Sequence, residues 1–173
     1  LQGQLERLTA LVRTLLDMSE METIPRTERV ELVPMAEEIL QDLEPAAQKR
    51  GITMTASGDV SPVTGSDILL YRMLYNLVEN AIKYGKQGGA VAVTLEENHG
   101  KTEIRVADDG PGIPIEMQGQ VFEPFFRVDQ SRSRASGGVG LGLALAQQIA
   151  ALHGGSLTVE KSDETGTVFL CRM

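Results

Sequence analysis

Five polar residues recur at helical spacing in an otherwise apolar segment. Arg72, Asn76, Glu79, Asn80 and Lys83 fall on one side at 100° per residue, and Leu70, Met73, Leu74, Leu77, Val78 and Ala81 on the other. Asparagine is a poor mid-helix residue because its side chain competes for backbone hydrogen bonds. Asn76 and Asn80 are four residues apart and Lys83 is one turn further on, so all three can meet the same object. Neutral amide oxygens beside an ammonium group suit a hydrated Mg²⁺ carrying phosphates, since this ion keeps most of its waters and takes few protein ligands. A solvated helix face is the plainer reading of the same stripe.

A second place is Asp108-Asp109-Gly110-Pro111-Gly112-Ile113, at the end of a strand that contains Ile104 and Val106. Strand side chains alternate, so Asp108 shares the face of those two apolar residues and its carboxylate is delivered to the interior or its rim. A carboxylate there needs donors. Either the glycine turn behind it supplies backbone N–H groups, or a ligand amino group such as that of adenine does. A third place, Gly137-Gly138-Val139-Gly140-Leu141-Gly142-Leu143, opens a helix; its glycines permit close backbone approach, and the positive helix end favours an anion such as phosphate. The P-loop, dinucleotide and eukaryotic-type kinase patterns are all absent. Between these two places lie Phe122-Glu123-Pro124-Phe125-Phe126-Arg127, then Arg132 and Arg134. These arginines either close over phosphate charge or belong to an ordinary solvated loop.

The elements that must position these groups come in mixed order. Leu1, Leu5, Leu8, Val12 and Leu15, widened by Leu11, Leu16 and Met18, describe a helix whose apolar surface calls for partner helices or for its own domain. Pro25 ends it, and 23–29 reads as a short linker. A short strand at 30–33, a helix from Pro34 to about Arg50 stopped by Gly51, and a strand at 52–56 follow. A turn-rich stretch leads to the helix capped by Ser66 or Asp67 and ending near Tyr84. Val91, Val93 and Leu95, the turn Asn98-His99-Gly100-Lys101, and Ile104 and Val106 make a β-hairpin. An irregular stretch at 109–138 reads as functional or mobile. A helix from Leu141 to His153 and a closing hairpin around 163–166 complete the chain. This order predicts an α+β, two-layer α/β sandwich, a mostly antiparallel sheet with helices on one face, preceded by one bundle helix.

With 173 residues and 42% hydrophobic content, the chain accommodates one domain of about 120 to 150 residues and an appendage. Sixteen basic against 24 acidic side chains give a net charge of −8, which argues against nucleic acid and anionic lipid surfaces as partners. The single cysteine, Cys171, excludes an internal disulfide and a cysteine metal cluster, and fits a reducing cytosolic compartment. No apolar run approaches the roughly 20 residues that span a bilayer. The chain starts without Met inside a helical pattern, so it is expected to be a soluble fragment of a longer protein.

Taken in order, Asn76 to Tyr84, Asp108 to Ile113, Phe122 to Arg127 and Gly138 to Leu143 resemble the asparagine, first glycine, phenylalanine and second glycine boxes of bacterial sensor histidine kinases. The resemblance covers about residues 28–173 and implies the Bergerat-type ATP-binding fold shared with gyrase-like, chaperone and mismatch-repair ATPases. It implies a catalytic ATP-binding domain over 25–173 with a lid at about 114–137. Residues 1–24, with Leu15-Leu16-Asp17-Met18-Ser19 near their end, would be part of the second helix of a dimerisation and phosphoacceptor hairpin.

By position, the resemblance implies that ATP and Mg²⁺ are the cofactors. Asp108 accepts from the adenine amino group, with Gly110, Gly112 and Ile113 around the base, and Tyr84 packs at base or sugar. Asn80 ligates the metal, and Asn76 supports the ion and phosphates. Lys83 contacts phosphate, and Gly138, Gly140, Leu141 and Gly142 form the phosphate loop. Catalysis falls to Asn76, Lys83 and Arg127. Val139 departs from the Thr or Ser often found there, which removes one hydroxyl contact. The ATPase branches place a glutamate base where this chain has Asn76, so transfer is favoured over hydrolysis. The implied partners are the protein's own phosphoacceptor hairpin, a response regulator and, in the full-length protein, a second copy. The implied location is the cytosolic portion of a parent kinase, with any membrane attachment outside this chain. The alternatives are an anti-sigma-factor-type serine kinase and a non-catalytic nucleotide-sensing module.

Overall fold

The computed structural model describes residues 1–127 and 140–173. Arg132, Arg134, Gly137, Gly138 and Val139 lie outside the described residues. The first helix, α1, runs Gln2–Met21. Leu5, Leu8, Val12, Leu15 and Leu16 are exposed along it, and only Met21 is buried. Its apolar stripe is therefore not covered by its own domain. Strand β1 (Glu28–Val30) is followed by α2 (Leu32–Lys49). The helix starts two residues before Pro34, which is consistent because a first-turn residue without an N–H forfeits no intrahelical bond. Gly51, at φ 63°, ends it: its N–H donates to the Gln48 carbonyl and the Ile52 N–H to that of Ala47, a Schellman closure that frees the chain to enter β2 (Thr53–Gly58).

Strand β3 (Val63–Gly65) pairs antiparallel with β1 and sets the entry to α3 (Asp67–Tyr84), where the Ser66 hydroxyl accepts from the Leu69 N–H. The sequence pattern left this stretch as turns. Strands β4 (Ala90–Asn98) and β5 (Lys101–Asp108) join through His99 and Gly100, both at positive φ, as a two-residue hairpin whose twist matches its strands requires. After a 3-10 turn at Ile115–Met117 comes α4 (Gly142–Leu152), then β6 (Ser156–Asp163) and β7 (Gly166–Arg172).

The main sheet has the order β2-β4-β5-β7-β6; β2 pairs parallel with β4 and the other neighbours are antiparallel. Helices α2, α3 and α4 cover one face, burying Ile39, Leu74, Leu77 and Ile149 against Val93, Ile104, Val106 and Phe169. The opposite face is polar, with Arg105 of β5 joining Glu96 of β4 at 2.5 Å and, across β7, Glu160 of β6 at 2.8 Å. This is the expected two-layer α+β sandwich. Its core holds the cavity-facing side of α3 against the end of β5.

Candidate functional site

A cavity of about 940 Å³ lies between α3, the end of β5, the segment after it and the start of α4. It gathers Asn76, Asn80, Lys83, Tyr84, Asp108, Gly112, Ile113, Arg127, Gly140, Leu141 and Gly142, residues expected at the site from four separate stretches of sequence. Gly110 is the exception. It packs behind the cavity, where a Cβ would sit 2.2 Å from the Tyr84 carbonyl oxygen, and it brings the strand end against the last turn of α3. Gly138, also expected there, lies outside the described residues.

At one end of the cavity stands Asp108. Its Oδ1 accepts from the Gly110 N–H at 2.9 Å, so the glycine turn does supply a donor. Burial nevertheless pushes its pKa above the ordinary carboxylate value, against the lowering effect of the Gly110 and Thr167 N–H groups. A further donor offered by a ligand would relieve that cost. The surrounding loop is fixed by the closing hairpin: the Ile113 N–H donates to Ser162 Oγ at 2.7 Å, and Gln118 Nε2 donates to the Ile113 carbonyl at 3.0 Å. Gly112, at φ 83°, has the Asp163 carbonyl oxygen 2.0 Å from where a Cβ would be, so only glycine lets the segment after β5 close against the end of β6.

The last turn of α3 is tied down by Arg50, whose guanidinium donates to the carbonyls of Ile82 and Lys83. This holds Lys83 and Tyr84 at the cavity wall. Lys83 Nζ lies 3.9 Å from Glu79, so one cavity carboxylate already faces the ammonium. One turn back, Asn76 Nδ2 is buried with no partner among the described residues, a costly state that a ligand acceptor would remedy. Asn76 faces the start of α4, and a Cβ at Gly142 would lie 3.8 Å from its carboxamide carbon. Among the described residues no side chain caps α4 and its first turn holds no acidic residue, so its leading N–H groups and positive dipole end lie open beside Asn76. Those are the requirements of an anion subsite.

The phenylalanine segment closes one side. The Phe125 N–H donates to the Gly140 carbonyl at 2.9 Å, and Phe125 takes φ 69°, a strained value for a bulky residue. Phe126 and Arg127 reach the cavity from there. The polar groups of the cavity thus run from Asp108 at one end to Asn76 at the other. Among the described residues no group of three or more His, Cys, Asp or Glu is placed to hold a metal. On the α3 wall, beside Lys83, the oxygen donors are the carboxamides of Asn76 and Asn80 and the Glu79 carboxylate, a set that would suit a hydrated Mg²⁺ with few protein ligands rather than a metal caged by protein.

Sequence reading missed several residues of the cavity. Ser162 and Thr167 come from the closing hairpin, Thr14 from α1, and Arg72 was legible only as part of a polar stripe. None carries a local signal, since each reaches the site through tertiary packing.

Residues 65–173 match the family described as histidine kinase-, DNA gyrase B- and HSP90-like ATPases. Among curated proteins, the sensor-like histidine kinase SenX3 of Mycolicibacterium smegmatis is 36% identical over 167 residues, covering 94% of this chain. The chain spans 44% of the length of that relative. Among solved structures, the mycobacterial sensor histidine kinase MprB is similar at TM-score 0.71 and 30% identity, over 85% of this chain and 96% of that one. ShkA in complex with AMPPNP is similar at TM-score 0.77 and 25% identity, over 95% of this chain and 35% of that one. Histidine kinase ThkA in complex with response regulator protein TrrA is similar at TM-score 0.76 and 26% identity, over 99% and 48%.

Proposed function

The chain belongs to the histidine kinase-, DNA gyrase B- and HSP90-like ATPases, on the sensor histidine kinase branch, and from that premise we propose how its residues divide the work. It binds ATP with Mg²⁺ and donates the γ-phosphate to a histidine on a dimerisation and phosphoacceptor hairpin, from which a response regulator takes it. Residues 1–24 form part of that hairpin's second helix, and residues 25–173 form the catalytic domain. The observation that carries this reading is one cavity with a desolvated carboxylate at one end and, at the other, a helix start without a side-chain cap beside the buried Asn76 Nδ2, which has no partner among the described residues.

Asp108 accepts from the adenine amino group, and Gly112 and Ile113 shape the base pocket beside Tyr84. Lys83 and the N–H groups at Gly142 and beyond hold phosphate, with Gly140 and Leu141 forming the turn into them. Asn80 would hold Mg²⁺ and Asn76 would orient the ion and phosphates; when bound, the metal supplies neutralisation of the phosphate charge. Arg127 approaches from the phenylalanine segment and stabilises charge during transfer. Asn76 cannot act as a base toward water, so the site favours a nucleophile brought by protein. The AMPPNP bound by ShkA and the response regulator bound by ThkA support the nucleotide and the partner. Among the described residues, no helix is long and apolar enough to cross a membrane.

Calorimetry with ADP and AMPPNP tests the binding step. Micromolar binding that requires Mg²⁺ and is weakened by Asn80→Ala supports the assignment, and Mg²⁺-independent binding contradicts it.

A further inference from the structure

Arg72 stands at the end of the α3 stripe farthest from Asp108, where two claims are made on it. It lines the nucleotide cavity with Asn76 and Asn80, and its Nη2 lies 3.2 Å from Oδ2 of Asp17 on α1. At 1.5 Å rise per residue, Arg72 lies about 6 Å beyond Asn76 and about 12 Å beyond Asn80 along the helix axis, on the side away from Tyr84. With the base at Asp108 and phosphates extending toward Asn76, that is the end at which the terminal phosphate emerges.

The same end is walled by α1. Thr14 lines the cavity, and α1 is seated there by a hydrogen bond from Gln148 Nε2 to the Met18 carbonyl at 3.0 Å and by the burial of Met21. The Arg72–Asp17 pair is half exposed, 41% and 46%, and pairs of that kind are weak. A terminal phosphate offers more charge than a carboxylate and matches the planar fork of a guanidinium. The pair is therefore exchangeable.

We propose that Arg72 reads the terminal phosphate of a nucleoside triphosphate by exchanging Asp17 for it, so that triphosphate loosens the seat of α1 and diphosphate leaves it in place. The proposal rests on the nucleotide reading above. It makes Arg72 a specificity-determining residue and Asp17 its competitor. Among the described residues, Arg72–Asp17 is the one ion pair that joins α1 to α3.

The test uses the whole chain, titrated in a calorimeter with ADP and with AMPPNP, both with Mg²⁺, and reads the ratio of the two affinities. Arg72→Ala is expected to lower the preference for AMPPNP over ADP about tenfold, the loss of one charge-assisted hydrogen bond. Arg72→Lys, which keeps the charge and loses the fork, is expected between the two, and it also serves if the alanine variant folds poorly. Asp17→Asn is expected to raise the preference about two- to fivefold by freeing the guanidinium, and to raise nothing when Arg72 is already alanine. Equal weakening of both nucleotides by Arg72→Ala, or a gain from Asp17→Asn that survives in the Arg72→Ala background, overturns the proposal and leaves the nucleotide reading standing. Failure of the unsubstituted chain to bind either nucleotide overturns both.

Discussion

Replacing Asp108 by Asn changes one acceptor atom while keeping the shape of the side chain. In the parent, Oδ1 is occupied by the Gly110 N–H, and the carboxylate is desolvated enough to titrate above its ordinary value of 3.8. The asparagine oxygen can keep the Gly110 bond. The amide nitrogen then replaces the second carboxylate oxygen and presents hydrogens to the adenine amino group, donor against donor. A buried mismatch of this kind costs about 1 to 3 kcal/mol, or roughly 5- to 150-fold in Kd for ADP.

A second signature follows from the direction of the pKa shift. Binding uses the ionised carboxylate, so parental affinity falls as pH drops through the raised pKa, earlier than for an ordinary aspartate. The variant lacks that dependence. For folding the sign is opposite: with the folded pKa above the unfolded one, the contribution of Asp108 to stability is full below 3.8 and is lost as pH rises through the folded pKa. Calorimetric titration of ADP across the acid range, with circular dichroism to show both proteins folded, measures these effects. Equal ADP affinity in the two proteins, or the same acid limb in both, would refute the assignment of Asp108 to the base.

Other outcomes follow from the same structure. Ser66→Ala removes the oxygen that accepts from the Leu69 N–H at the start of α3, and is expected to cost about 1 kcal/mol in a denaturant melt. Gly112→Ala places a Cβ 2.0 Å from the Asp163 carbonyl oxygen at φ 83°, so it should both lower the melting temperature and abolish ADP binding in calorimetry. Leu8→Glu with Val12→Glu alters side chains that are 55% and 48% exposed; the melting temperature of this chain should hold, while light scattering of a longer chain carrying the whole hairpin should show loss of its dimer. Hydrogen exchange over residues 115–127 should slow with AMPPNP more than with ADP if Arg127 answers the γ-phosphate.

Much of the fold was legible because its boundaries are written locally. Ser66 caps α3, Gly51 closes α2, and His99-Gly100 turns the central hairpin, each through a backbone requirement that few residues meet. Strand β3 was not legible, since Val63–Gly65 has no alternation to read and exists through pairing with Glu28–Val30. The start of α2 was misplaced because Pro34 is tolerated anywhere in the first turn, and so marks a region rather than a residue. In the site, the contiguous glycine and asparagine motifs announced themselves, and all those within the described residues reach the cavity except Gly110. Gly110 is expected around the base through the resemblance; in the structure it does not line the cavity, and a Cβ there would lie 2.2 Å from the Tyr84 carbonyl oxygen, a closeness that only the fold reveals. Ser162, Thr167 and Arg72 had no such announcement, because a hydroxyl in a hairpin or an arginine on a helix is common and only the packing of β6, β7 and α1 gives these three a role.

The central claim is transfer of phosphate to a histidine that this chain does not hold. His153 is spoken for on both sides: one ring nitrogen, Nδ1, lies 2.8 Å from the Ile149 carbonyl oxygen, and the other, Nε2, accepts from the Ser66 N–H at 3.0 Å. His99 occupies a hairpin turn at φ 52°, remote in the fold from the cavity at the end of β5. Incubation with ATP labelled at the γ-phosphate, followed by acid and base treatment, measures the claim directly. The account predicts no acid-labile, base-stable label on the 173-residue chain and clear label on a longer chain that carries a phosphoacceptor helix, where tethering supplies effective concentration. Label on the shorter chain that disappears in His99→Ala or His153→Ala, or a longer chain that binds ATP yet never acquires phosphohistidine, would contradict it.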